Sequence, residues 1–258
     1  MAVLQHNKLI MDKPFVLITG ASSGIGKSIA VNLSQEYNVV LHGRNEERLQ
    51  QTLNECNQAS TCLIWQNDLN QIALLEDALT KFITQAGIEI SYFVHCAGFM
   101  KMVPIKMATV DIFTSTFNTN VFAAQFITKV LINKKINKSA LKSAVFISSN
   151  ISKMGAKALS VYGSSKGALD SLMRCLAMEL APKVRLNSVL PGAVLTEMTD
   201  AIFENDEVAN RMAATYPLGF GKPEDIYEMV SFLLSDKSRW ITGQQFTVDG
   251  GRTVNISG

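Results

Sequence analysis

Along the chain, short runs of continuously apolar residues alternate with longer stretches in which apolar residues recur every three or four positions. The short runs predict strands at Phe15–Thr19, Val39–His42, Cys62–Gln66, Tyr92–His95, Val145–Ser148, Leu186–Leu190 and Gln245–Val248. Several lack any polar alternation, as expected of parallel strands covered on both faces. The longer stretches predict helices at Gly24–Glu36, Glu46–Asn57, Gln71–Ala86, Asp111–Asn133, Val161–Leu180 and Pro223–Ser235. In the last of these, Ile226, Met229, Val230 and Leu233 form one stripe, and Pro223 sits where a helix can start. This alternation predicts one α/β domain over residues 1–258, a doubly wound, seven-stranded parallel sheet with helices on both faces. Ligands of such sheets bind beyond the carboxyl ends of the strands, so chemistry is expected just after each strand. The stretch 195–221 breaks the rhythm, and its length suggests either a functional lid or a helical surface excursion.

Composition narrows the class. Hydrophobic residues make up 47% and charged residues 18%, which suits a large packed core. The net charge is only +2 and the basic residues are scattered, which argues against a nucleic-acid partner. No apolar run approaches the roughly 20 residues that span a bilayer, and the amino terminus is too polar for a secretory leader. Cys56, Cys62, Cys96 and Cys175 form no C-x-x-C pair and are expected to be buried free thiols in a reducing compartment. The expectation is a cytoplasmic protein with no metal site and no membrane partner.

The stretch TGASSGIGKS, Thr19–Ser28, follows the first strand and opens the first helix. Backbone N–H groups and the helix dipole there favour an anion. A P-loop would need a glycine where Ala21 stands and a later strand ending in an Mg²⁺-binding Asp, and no apolar strand ends so. The common dinucleotide fingerprint would need a glycine at Ile29. After the second strand, Gly43 occupies the position of the acidic residue that contacts the ribose 2′-OH of NAD, and Arg44 follows. A glycine removes the repulsion toward a 2′-phosphate and a guanidinium can bind one bidentately, so the pair favours NADP over NAD. A solvent-facing arginine before an exposed helix is the plainer alternative.

SVYGSSKGALD places Tyr162 and Lys166 four apart on a predicted helix and hence on one face. An ammonium beside a phenol should lower its pKa from about 10 and make it a usable general acid/base. Thirteen residues earlier, Ser148 and Ser149 end a buried strand, where a hydroxyl can polarise a substrate oxygen. Asn120 stands inside an otherwise apolar helix. It would either be satisfied by backbone or break the helix locally and organise a water or the lysine.

With these residues in view, the chain resembles the short-chain dehydrogenase/reductase family over nearly its whole length. That family's T-G-x-x-x-G-x-G matches Thr19, Gly20, Gly24 and Gly26. The resemblance implies a Rossmann fold and an Asn-Ser-Tyr-Lys tetrad at Asn120, Ser149, Tyr162 and Lys166. It implies cofactor contacts from Ser22, Ser23 and Ile25 in the glycine loop, from Asn45 beside Arg44, and from Asp68 and Leu69 near adenine. It also implies contacts from Cys96, Ala97 and Gly98, from Tyr162 and Lys166, and from Pro191, Gly192, Val194 and Thr196 around the nicotinamide. The family's N-N-A-G reads His95-Cys96-Ala97-Gly98, so the hydrogen bond its second asparagine gives the sheet is missing at Cys96. LAPKVRLN is one residue shorter than the commoner form, which should tighten the turn before the sixth strand.

The resemblance implies hydride transfer between NADP(H) and a carbonyl or carbinol carbon. Tyr162 would serve as acid, Ser149 would hold the substrate oxygen, and Lys166 would bind ribose and depress the tyrosine pKa. Asn120 would place a water in a relay to Lys166. Among family members the chain most resembles 3-oxoacyl-[acyl-carrier-protein] reductases, so the resemblance implies reduction of the ketone of a 3-oxoacyl thioester, borne on a carrier protein, to a secondary alcohol. Lys134, Lys135, Lys138, Lys142 and Lys183 could attract an acidic carrier protein. Sugar, steroid or other alcohol dehydrogenases and a catalytically silent NADP sensor are the alternatives. Met100, Met102, Met154, Met198, Phe203 and Met212 suggest an apolar, adaptable pocket. The two long helices at 111–133 and 161–180 imply a homotetramer, or a dimer.

Overall fold

The computed structural model describes residues 13–197 and 206–255, with side chains from 210 onward in the second stretch. Seven strands form one sheet: β1 Phe15–Thr19, β2 Asn38–Gly43, β3 Cys62–Gln66, β4 Ile90–His95, β5 Ser143–Ile147, β6 Arg185–Pro191 and β7 Gln245–Val248. All six pairings are parallel, in the order β3-β2-β1-β4-β5-β6-β7. The order reverses between β1 and β4, which opens a crevice at their carboxyl ends.

Each strand is apolar throughout because both faces are covered. In β1, Val16 and Ile18 pack with α1 Gly24–Leu33, α2 Glu46–Glu55 and α9 Pro223–Leu234. Leu17 points the other way, toward α3 Ile72–Ala86, α5 Ala123–Leu131 and α7 Ser160–Leu180. The short helices α6 Lys134–Asn137 and α8 Asp206–Ala213 complete the set. Local chemistry fixes the helix ends. The Asn45 side chain accepts from Arg48 N at the start of α2, and Gly87, at φ +64, closes α3.

The helix expected at 111–133 is divided. α4 Val110–Phe117 leads into a π turn at Asn118–Phe122 before α5 begins. Asn120 is responsible. Its side chain is fully buried and bonds Phe99 and Ser165 across the fold, and the wider turn carries it inward. Before β6 the chain turns tightly, with Lys183 N and Val184 N both donating to Leu180 O. Lys27 and Ser28, which mimic a P-loop ending, brace α1 instead. Lys27 Nζ lies 2.8 Å from Glu55, and Ser28 Oγ donates to Glu224 at 3.0 Å.

The excursion at 195–221 has a zipped stem. Val194 bridges Gly221, Leu195 N donates to Gly221 O, and Gly221 N donates to Ala193 O. The buried Tyr216 accepts from Ala193 N through its hydroxyl at 3.0 Å. Met198 and Phe203 lie outside the described residues.

Candidate active site

The carboxyl ends of β1 to β6 and the first turns of α7 wall a groove of about 700 Å³. Every residue expected in the tetrad or at the cofactor lines it, except Thr19 and Asn120. Two glycines set its floor. Gly20 has φ +73, and a Cβ there would lie 2.8 Å from the Ala97 backbone. A Cβ on Gly26 would lie 2.2 Å from Gly20 O. The loop therefore approaches the crevice as bare backbone, at the N-terminus of α1, which is the cradle a pyrophosphate needs.

Beside the glycine loop, the end of β2 carries no carboxylate. A Cβ on Gly43 would meet Leu49 Cδ2 at 3.1 Å and Ser22 Cβ at 3.3 Å, so an acidic side chain has little room. Arg44 lines the groove, and its guanidinium has no partner among the described residues. Arg48, one turn further on, pairs with Glu197 at 2.8 Å and so ties the groove wall to the excursion that starts at Leu195.

Thr19 and Asn120 stand behind the walls. Thr19 Oγ1 accepts from Cys96 N and Ala97 N at 3.1 and 3.2 Å and lies 3.0 Å from His95 Nδ1. A hydroxyl that accepts twice sends its own hydrogen to Nδ1. Burial holds His95 down at about 3, so the ring is neutral and can accept. The Thr19–His95 pair thus fixes the loop where the family's second asparagine is replaced. Burial also pushes the Cys96 thiol up to about 12, and it stays neutral. Asn120 Oδ1 accepts from Phe99 N at 2.7 Å, and its amide donates to Phe99 O and Ser165 Oγ. It has no hydrogen bond to Lys166. The backbone-satisfied alternative describes this side chain, and it also breaks the helix.

Ser149, Tyr162 and Lys166 meet in the groove. Ser149 Oγ accepts from Ile151 N at 3.2 Å and faces the Tyr162 phenol, whereas Ser148 Oγ turns to Lys166 O at 3.4 Å. Lys166 Nζ is 5.7 Å from the Tyr162 ring centre and donates to Ile147 O at 2.8 Å. Here the expected depression of the tyrosine pKa fails. Burial raises Tyr162 to about 12 against the lowering effect of Ser149, because the ammonium is aimed at the β5 carbonyl. Burial lowers Lys166 itself to about 8, opposed by Cys96 and Asp170.

Beyond Ile151 the groove continues into a second cavity of about 560 Å³, where Met100, Met102, Met154 and Met212 supply an apolar lining. Pattern reading missed Arg48, Glu197 and Tyr216. Arg48 was detectable, one helical turn after Arg44. Glu197 and Tyr216 carry no local signal, since their partners come from distant chain.

Comparison with known proteins agrees with this fold. A family model described as enoyl-(acyl carrier protein) reductase matches residues 20–253. L-xylulose reductase of Bos taurus is 33% identical, covering 91% of this chain and 94% of its own. A short-chain type dehydrogenase/reductase from Mycobacterium ulcerans superimposes with a TM-score of 0.85 at 30% identity, covering 95% of this chain and 90% of that one. A 4-hydroxyisoleucine dehydrogenase complexed with NADH gives 0.87 at 26% identity, covering 94% and 99%. An oxidoreductase fold with a dinucleotide cradle and a serine, tyrosine and lysine converging on it thus has close structural kin: the chain belongs to the short-chain dehydrogenase/reductase family.

Proposed function

We propose that the protein is an NADP(H)-dependent reductase that converts a ketone to a secondary alcohol, with Tyr162 as the acid. The observation that carries the reading is Tyr162 facing Ser149 over a floor of bare glycine backbone, with Lys166 beside it. When bound, the reduced nicotinamide supplies a hydride to the carbonyl carbon. Gly20 and Gly26 leave room for its pyrophosphate, and the Arg44 guanidinium, without a partner among the described residues, would be available to a 2′-phosphate. Ser149 holds the substrate oxygen, and Tyr162 gives its proton to the forming alkoxide. A phenol held at about 12 is protonated at neutral pH, the state an acid needs. Lys166 turns from Ile147 O to the ribose and steadies the phenolate left behind, while Asn120 holds the loop that carries Gly98 and Phe99.

The names of the relatives point to a small free ketone. The family model's description keeps a carrier-bound thioester in view. The exposed apolar side chains of Val110, Phe113 and Phe122 support a homo-oligomer built on the α4–α5 face. The four thiols are free, though only Cys56 is buried as expected and Cys175 is exposed, and free thiols support a reducing, cytoplasmic setting. Among the described residues no helix is long and apolar enough to cross a membrane.

The test is NADPH oxidation with a panel of free ketones and acetoacetyl thioesters, in wild type and Tyr162→Phe. Loss of an acid should cost about 10²–10⁴-fold in turnover, with NADPH affinity changed by less than about threefold. Equal loss of turnover and cofactor binding would remove Tyr162 from its role. Tight NADPH binding with no turnover on any ketone would favour a sensor.

A further inference from the structure

The cavity beyond Ile151 has an asymmetric charge. Lys157, Arg211 and Arg252 all line it, and no carboxylate does among the described residues. Its remaining walls are largely apolar, with four methionines beside Ile151, Ala156 and Leu159. Its polar groups are already committed: Asn150 donates to Asp249, Thr215 to Met212 O, and the Tyr216 hydroxyl accepts from Ala193 N. Arg252 is half-buried and has no acceptor among the described residues, and neither Lys157 nor Arg211 has one.

The acid nearest Arg252 in sequence is engaged elsewhere. Asp249 accepts from Gly251 N at 3.2 Å, from Thr253 N at 2.8 Å, from the Thr253 hydroxyl and from Asn150. Those bonds build the short helical turn at Arg252–Val254 that holds the arginine over the cavity. An arginine partly withdrawn from water beside methionines is costly unless it meets an anion. A guanidinium also matches an oxyanion with two parallel hydrogen bonds.

The cavity is continuous with the catalytic groove, for both include Met100, Ile151, Leu159 and Met212. A ketone held at Ser149 and Tyr162 would extend its chain past Ile151 and Leu159 toward the cations. We infer that the substrate is a ketone whose apolar chain ends in an oxyanion, a carboxylate or a phosphate ester, and that Arg252 anchors that end. The inference rests on the ketone-reductase reading above and specifies its substrate class.

Matched pairs test it. 7-Oxooctanoate is compared with its methyl ester, and 7-oxooctyl phosphate with 8-hydroxyoctan-2-one, each with NADPH. The charged member of at least one pair should have the higher kcat/KM by about tenfold or more, a difference of ~1.4 kcal/mol. The pair that responds identifies the oxyanion. Arg252→Gln should lower kcat/KM about tenfold more for the charged ketone than for its neutral partner, with the loss in KM, and Arg252→Lys should recover part of it. Equal rates within both pairs, or equal losses in the variant, would overturn the inference and leave the reductase reading intact. If no ketone of either kind is reduced, the reductase reading fails instead, and calorimetry decides the anion site. Octanoate must then bind the wild-type chain at least about tenfold tighter than octanamide, an advantage Arg252→Gln removes, and equal binding overturns the site.

Discussion

Lys166→Met should abolish a pH dependence of stability that the wild-type chain carries when no ligand is bound. Burial lowers Lys166 from 10.5 to about 8, and it is 3% exposed. That displacement corresponds to ~3 kcal/mol of burial cost while the lysine is charged. Below about pH 8 the group is protonated in both native and unfolded chains, so the native state bears the full cost. Between about 8 and 10.5 the native chain gives up its proton first, and the cost shrinks. Stability contributed by this group therefore rises with pH through that window, opposite in sign to a salt-bridged lysine. Methionine has no charge to lose. It also deprives Ile147 O of its donor, a pH-independent cost of ~1–3 kcal/mol. The order of the two chains at neutrality reflects that competition, but the difference in slope does not. Thermal or urea unfolding near neutrality and near pH 10 should show the wild-type chain gaining ~2 kcal/mol on the variant, or about 4–8 °C in Tm. Tyr37 and Tyr92, whose pKa values burial raises, lose stability with pH in both chains and cancel from the comparison. Parallel curves would refute the assignment of a depressed pKa to Lys166.

Two further substitutions probe the cofactor end of the groove. Arg44→Ala should weaken NADPH by about tenfold or more while leaving NADH within about twofold, since a charge-assisted hydrogen bond is worth ~1.5–3 kcal/mol. Titration by fluorescence checks this, and an unchanged preference would detach Arg44 from the 2′-phosphate. Gly26→Ala drives a Cβ to 2.2 Å from Gly20 O, a backbone contact that cannot yield. α1 must shift, so a loss of ~1–3 kcal/mol is expected, together with loss of NADPH binding. Intact binding in a crystallographically unshifted α1 would contradict the close approach.

Much of the fold is readable in the chain because burial on both faces leaves strands as unbroken apolar runs. β1, β3 and β7 begin and end where the pattern says. The other strands start one or two residues early, three of them at polar residues that distant partners satisfy. Asn38 donates to Lys13 O, Ser143 to Leu233 O, and Arg185 to Ser238 and Ser235 O. Those bonds carry no local periodicity. The site follows the same division. Glycine spacing and a tyrosine four before a lysine were legible, and those residues do meet in one groove. The direction in which Lys166 points was not, because it is set by a carbonyl nineteen residues away. The placement of Thr19 and Asn120 behind the walls likewise depends on loops that only the tertiary fold assembles.

The zipped stem at Val194 and Gly221 separates two evolutionary problems. β6 ends at Pro191, just before the stem, and Tyr216 seals the stem from within. Chain inserted or exchanged above that closure is charged mainly the entropy of a longer loop, about 0.6 kcal/mol per doubling of length. Such a module can be recombined between relatives without disturbing the catalytic groups below it. A scaffold arranged this way can acquire new chemistry of recognition by trading one loop, while its hydride chemistry is inherited unchanged.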